Sequence, residues 1–201
     1  MTCHTSVRWR TPIGSPTTSP ALRHRRVEPT VNIRRIDDAF DRWLEPARRK
    51  GVVQGLFSFL SRAGEFSVIW HAVVWLRAIG STDRAGEALT FSLLLGAESL
   101  IVNQGVKRLF RRSRPDANGD GRFNVRTPVT SSFPSGHSSS AFFAATILVT
   151  LVPGAWAALF FAVAVGVALS RVMVRLHHLS DILGGAIVGT ALGLLAVPLV
   201  G

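Results

Sequence analysis

From residue 64 onward the chain alternates between apolar runs and short polar connectors. The runs cover residues 66–79, 88–106, 138–152, 155–169 and 182–200. Some fall short of the roughly 20 residues that a helix needs to cross a bilayer. Neighbouring helical turns, including polar residues at the run ends, can extend them. The pattern predicts five membrane spans, or six if the apolar stretch 52–60 also inserts. The fourth and fifth runs contain no charged residue, which sets them apart from the helices of a soluble bundle. Upstream, Ile36, Phe40 and Leu44 recur at i, i+4 and i+8 among Arg and Asp. That spacing predicts an amphipathic helix over 33–49, either lying on the membrane surface or packed on the domain. Residues 1–29 are rich in Arg, Thr, Ser and Pro and lack an apolar stretch. They read as a disordered basic tail rather than a secretory signal. The expected fold class is all-α, a polytopic membrane helical bundle. Its expected parts are a tail (1–30), an amphipathic interfacial region (31–62) and a transmembrane domain (63–201).

Charge sharpens this picture. The 201-residue chain is 47% hydrophobic yet carries a formal net charge of +11. Residues 1–50 hold eleven Lys/Arg against five Asp/Glu, residues 107–126 hold seven against two, and the remainder balances. The excess therefore sits in two blocks beside apolar runs. That placement favours anionic lipid headgroups and phosphates as partners. Nucleic acid is not expected, because no groove-reading or stacking motif accompanies the basic residues. The single cysteine, Cys3, permits neither an internal disulfide nor a thiolate metal site.

Polar residues inside the runs are few. Glu98, Asn103 and Gln104 in the second run are expected to face the bundle interior, Glu98 in a structural role, as is His71 in the first. The candidate chemistry lies at run ends. One cluster, Lys107 to Pro115, follows the second run. Pro134-Ser135-Gly136-His137 precedes the third. The last extends from Ser170-Arg171, after the fourth run, to His177 and Asp181 at the start of the fifth. With five crossings, all three clusters meet on one membrane face.

Such an assembly suits a phosphoryl group. Guanidinium groups match phosphate oxygens with forked donors and Lys supplies a point charge, so Lys107, Arg114 and Arg171 form a candidate clamp. Ser135 and Gly136 lead into a helix whose first amides and positive dipole end favour an anion. His177 and Asp181, four apart, share a helix face, so the carboxylate can hold one ring nitrogen as N–H and leave the other as a nucleophile. His137, on a different helix, can approach from the opposite side as in-line displacement requires.

The arrangement Lys-x6-Arg-Pro, Pro-Ser-Gly-His and Ser-Arg-x5-His-x3-Asp resembles the three-part signature of the type 2 phosphatidic acid phosphatases. Lys107, Arg114, Pro115, Pro134, Ser135, Gly136, His137, Ser170, Arg171, His177 and Asp181 occupy its positions. The resemblance covers residues 88–200. It implies a phosphohistidine on His177, oriented by Asp181. It makes His137 the acid for the leaving group and then the base for water. Lys107, Arg114, Arg171, Ser135 and Gly136 become the phosphate ligands, and neither metal nor cofactor takes part. Vanadium haloperoxidases share the cluster, but the apolar runs argue against that soluble variant.

Other residues are weighed down. His178 adjoins His177 without matching the motif spacing, and Arg108, Arg111, Arg112 and Arg175 are expected only to anchor headgroups. Asp116, Asn118, Asp120 and Gly121 imitate a calcium loop, but Thr127 stands where its bidentate Glu belongs. The expectation is an integral protein of the plasma (inner) membrane with its active site on the cytoplasmic face. The basic N-terminal segment favours retention inside, and a near-neutral loop with Asp83, Arg84 and Glu87 suits the outside. The expected substrate is a lipid phosphate: phosphatidic acid, phosphatidylglycerol phosphate, a polyprenyl diphosphate or a polyprenyl-phosphoryl sugar phosphate. Two alternatives stand beside hydrolysis, a lipid phosphotransferase using the same phosphohistidine and a non-catalytic protein that binds anionic lipid.

Overall fold

A computed structural model describes residues 32–115, 121–123, 125, 130–152 and 154–200. The basic tail, most of the calcium-loop-like turn (residues 116–120) and Thr127 lie outside the described residues. Among the described residues the secondary structure is helical, in the order α1 (Ile33–Arg48), α2 (Gly51–Ala63), α3 (Val68–Ala78), α4 (Thr82–Leu100), α5 (Lys107–Leu109), α6 (Gly136–Leu151), α7 (Trp156–Met173) and α8 (Leu179–Ala196). A π-helical segment, Ile101–Val106, joins α4 to α5, so that one continuous rod runs from Thr82 to Leu109.

Local chemistry sets the helix starts. The Asn32 side chain caps α1, accepting from the Arg34 amide at 3.1 Å. Ser81 caps α4, and Asp83 lies in that helix's positive first turn. Asp83, Arg84 and Glu87, expected in a loop, therefore occupy the opening turns of α4. A helix N-terminus tolerates such charges, and Glu87 also pairs with Arg77 across the α3–α4 turn. That turn passes through Gly80 at φ +80, a left-handed conformation suited to glycine.

Among the described residues three rods are long and apolar enough to cross a membrane: Thr82–Leu109, Trp156–Met173 and Leu179–Leu199. The apolar helices α3 and α6 are shorter. Trp70, Phe91, Leu95, Phe143, Ile147, Leu148 and Val167 form the central core. Leu93, Leu100, Leu159, Leu183, Ile187 and Leu195 point outward from the bundle, an apolar exterior that suits hydrocarbon rather than water. The 52–60 stretch forms most of α2, a helix of 13 residues, about 20 Å. Its Val52, Leu56 and Phe59 are exposed, while Ser58 and Ser61 are buried, so its polar face is the inner one. In α1, Phe40 and Leu44 pack on Ala168, Val172 and Ile182, whereas Ile33, Ile36 and Trp43 are exposed.

α6 and α8 make the closest seam. Gly185, Gly189 and Gly193 recur every four residues on α8, where a Cβ would run into Ser135 and Ser138, the Ser139 backbone, and Thr146 respectively. Small residues let helices approach at backbone distance in a membrane. The hydroxyls along this part of α6 are all spent internally. Ser138 donates to the Ile182 carbonyl at 2.6 Å, and Ser139 and Ser140 donate to the Glu98 carboxylate at 2.5 and 2.6 Å. Glu98 thus ties α4 to α6. Gly189→Ala should destabilise the bundle by about 1–3 kcal/mol through overpacking. Gly96→Ala, in an exposed helix position with open space around it, should be neutral or stabilising by up to about 1 kcal/mol. Thermal unfolding in detergent measures both.

Candidate active site

The two histidines open onto one cavity. It has a volume of about 240 Å³, and its walls include Lys107, Arg114, Gly136, His137, Arg171 and His177. Arg114 comes from the non-helical segment after Leu109, and the others come from helix ends or the turn between α7 and α8. Lys107 opens α5 just past the π segment, His137 lies in the first turn of α6, Arg171 in the last turn of α7, and His177 in the α7–α8 turn. Helix ends put polar groups at the boundary of an apolar bundle without carrying charge into its middle.

His177 is 2% exposed. Its Nε2 faces an Arg114 amino group at 3.2 Å, and the same group donates to the Leu176 carbonyl at 2.7 Å. A guanidinium only donates, so Nε2 is the lone-pair nitrogen and the proton belongs on Nδ1. Burial pushes the ring's pKa down to about 3, reinforced by the charges of Arg171 and Arg114 and opposed by Asp181. A neutral imidazole in the wall of a cationic cavity can act as a nucleophile.

Asp181 lies behind His177, fully buried, with Oδ2 3.7 Å from Nδ1. That separation exceeds a hydrogen bond. The same oxygen accepts from the Ser132 hydroxyl and from the His178 amide at 2.8 Å, with the His178 ring 3.2 Å away. His178 is thereby the N-cap residue of α8, in a reciprocal capping box with Asp181. Catalytic contacts of this kind are often long before substrate binds.

Gly136 is under tight constraint. A Cβ there would lie 2.9 Å from Asn103 Oδ1 and 3.4 Å from Lys107 Nζ, so only glycine leaves both groups in place. Ser135, expected among the phosphate ligands, instead stands behind the cavity. Its amide donates to the Asp181 carbonyl at 3.0 Å, and its hydroxyl caps the Ser138 amide at 3.4 Å. It locks α6 to α8, leaving the anion-binding end of α6 to Gly136 and His137. Arg171, 3% exposed, donates to the Ser61 hydroxyl, while its Nε and the Nε2 of His137 are buried without a hydrogen-bond partner. Buried polar atoms of this kind call for a partner, and the cavity is where a ligand can supply one.

Several contributors escaped the motif reading. Ser61, Gly64 and Glu65 come from α2 and the turn after it; Gly64 and Glu65 line the cavity. A Cβ on Gly64 would meet Val167 at 2.8 Å and the His137 ring at 3.4 Å. The only signal was a pair of serines, Ser58 and Ser61, three apart in an apolar stretch. Arg112, expected only at headgroups, turns inward to Asp37 at 2.5 Å and Asp181 at 2.6 Å, because two buried carboxylates outcompete the headgroup layer for it. Arg108 does stay outside, on Gln104. Arg175 lies 3.5 Å from Asp41.

Comparison with known proteins agrees with this geometry. Residues 87–201 match the model of the PAP2 superfamily. The chain is 33% identical to decaprenylphosphoryl-5-phosphoribose phosphatase from Mycobacterium tuberculosis, over 67% of this chain and 73% of that protein. It is equally identical to the enzyme of that name from Mycolicibacterium smegmatis, over 69% and 74%. Two solved structures share the fold. The transmembrane PAP2-type phosphatidylglycerolphosphate phosphatase of Bacillus subtilis superposes with TM-score 0.62 at 24% identity, covering 85% of this chain and 87% of that one. LpxE of Aquifex aeolicus superposes with TM-score 0.65 at 21% identity, covering 81% and 95%. A cavity at the helix ends of an apolar bundle, lined by two imidazoles and three cations, together with these matches, identifies the chain as a member of the PAP2 superfamily and a membrane phosphatase.

Proposed function

We propose that the protein hydrolyses a lipid-borne phosphate through a phosphohistidine on His177. The observation that carries this reading is the position of His177, which lines one cavity with Lys107, Arg114, Arg171 and His137 and whose Nε2 accepts from Arg114. Nε2 forms a bond to phosphorus as the bond to the leaving oxygen breaks, and His137 gives that oxygen its proton. Water then attacks the phosphohistidine, His137 takes its proton, and phosphate departs. The three cations and the first amides of α6 hold the equatorial oxygens, where charge accumulates. Asp181 holds the Nδ1 proton in place. The site's own cations repel a divalent metal, and no metal enters this scheme.

Among lipid phosphates, a polyprenyl-phosphoryl sugar phosphate is the favoured substrate, supported by the names of the 33%-identical mycobacterial enzymes. Five crossings, by α3, the Thr82–Leu109 rod, α6, α7 and α8, leave α1 and α2 on the active-site side. The exposed Ile33, Ile36 and Trp43 of α1 and Val52, Leu56 and Phe59 of α2 suit the lipid interface. The basic N-terminal segment supports a cytoplasmic location for this side.

Four lipid phosphates offered to purified protein (phosphatidic acid, phosphatidylglycerol phosphate, a polyprenyl diphosphate and a polyprenyl-phosphoryl pentose phosphate) should release phosphate, the last most efficiently. His177→Ala should lower turnover by about a thousandfold or more; full activity in that variant would refute the mechanism. Release with water as sole acceptor separates hydrolysis from phosphotransfer, and EDTA should leave the rate unchanged. After removal of Cys3, a cysteine at Ser131 should be shielded from impermeant label in intact cells and one at Ser81 labelled; the reverse pattern would invert the topology.

Stability should also depend on pH in a defined sense. The folded His177 titrates near 3 and an unfolded histidine near ~6.5. Between those values the unfolded chain binds the extra proton. The contribution is therefore full above about pH 6.5 and declines as pH falls toward 3. Detergent melting temperatures measured against pH should fall less steeply below 6.5 for His177→Gln than for the parent.

A further inference from the structure

The family match begins at residue 87, so α1 lies outside it, yet α1 is joined to the site by a chain of charged contacts. Asp37, 3% exposed, accepts from the Ser180 amide at 2.9 Å, the Ser180 hydroxyl at 2.7 Å and one amino group of Arg112 at 2.5 Å. The other amino group of Arg112 reaches Asp181 Oδ1 at 2.6 Å and Ser180 Oγ at 2.7 Å. At the far end of α1, the fully buried Arg48 donates to the carbonyls of Val172 and Met173 at 2.9 and 3.0 Å. A carboxylate thus sits at the N-terminus of α8 and a guanidinium at the C-terminus of α7, each matched to its helix dipole. α1 is a strap across the turn that carries His177.

We propose that Asp37 and Arg112 are positioning residues for phosphoryl transfer, acting by fixing the Asp181 carboxylate behind His177. Two histidines compete for Asp181 Oδ2, with the His178 ring at 3.2 Å and the His177 ring at 3.7 Å. Arg112 pins Oδ1 and so sets the carboxylate plane that both rings meet. Asp37 holds Arg112 there, against a polar cavity of about 280 Å³ lined by Arg34, Asp38, Arg111 and Ser113 into which the side chain could otherwise swing. The forked geometry matters because one guanidinium serves two carboxylates with separate nitrogens, which an ammonium cannot reproduce. This inference rests on His177 being the nucleophile.

The test compares Asp37→Asn, Arg112→Lys and their double variant, with Asp38→Asn and His177→Ala as controls. Each of the first two should lower kcat about tenfold or more, as expected when a catalytic group loses its alignment. KM and inhibition by orthovanadate should stay within about threefold, since the phosphate ligands are untouched. The double variant should lose no more than the worse single, the signature of one coupled unit. Asp38→Asn should match the parent, and detergent melting temperatures should show that the variants are folded. A kcat within twofold of the parent in either folded single variant would overturn the proposal. So would losses that multiply in the double, or a rise in KM and vanadate constant at constant kcat. If Asp37→Asn does not fold, Arg112→Lys decides by the same limits. An inactive His177→Ala beside fully active Asp37→Asn and Arg112→Lys rejects this inference alone; an active His177→Ala rejects the nucleophile itself.

Discussion

Lys107, Arg114 and Arg171 are cations gathered around one small cavity, and their mutual repulsion is the constraint that the rest of the site accommodates. In a low-dielectric bundle such charges are costly unless paired. The fold meets part of the cost with neutral acceptors: the carbonyls of Leu176 and Thr130 take up Arg114 and the Ser61 hydroxyl takes up Arg171. Two buried carboxylates are kept behind the cavity wall: Asp181 lies behind His177, and Glu98 is turned into α6 by Ser139 and Ser140. Glu65 lies on the wall itself. The positive field is therefore only partly offset inside the cavity. A site neutralised by its own carboxylates would fold more easily and bind an anion less well.

The same constraint explains the unusual character of α2 and of the α6–α8 seam. α2 turns serines inward because Arg171 needs a hydroxyl, and leaves Val52, Leu56 and Phe59 outside. α8 presents glycines to α6, and where the two helices begin the Ser135 amide donates to the Asp181 backbone carbonyl at 3.0 Å, which ties the start of α6 to the turn that carries His177. Close helix approach and catalytic geometry are one requirement here.

Much of this was legible in the sequence, and the reasons for success and failure are physical. The spans from residue 138 onward stand out because they carry no compensating charge, and the three clusters stand out because reactive polar residues at helix ends have few structural explanations. The start of α4 was misplaced because charges in a first helical turn look like a loop to any hydropathy argument. Ser61, Glu65 and Arg112 were missed or misjudged for another reason. Serine is ambiguous in an apolar helix, and an Arg within a basic run gives no sign of which carboxylate, 75 residues away in the case of Asp37, will claim it. A motif fixes identity and spacing but not the direction of an N–H, which for Ser135 is toward the Asp181 carbonyl.

Arg112 shows how the basic block at residues 107–126 divides its arginines. In the second block the alternation along Arg111-Arg112-Ser113-Arg114 leaves Arg111 and Ser113 exposed and turns Arg112 and Arg114 toward the bundle, where Arg114 reaches the cavity and Arg112 the buried carboxylates behind it. The end of the helix at Phe110, whose backbone is extended, makes this possible, because residues two apart in an extended segment point to the same side. A helix through the same residues would have fanned the arginines around its axis, and one segment could not then have brought one arginine to the cavity and another to the carboxylate behind His177. The termination of the rod at Leu109 is therefore as much a part of the catalytic design as the residues that follow it.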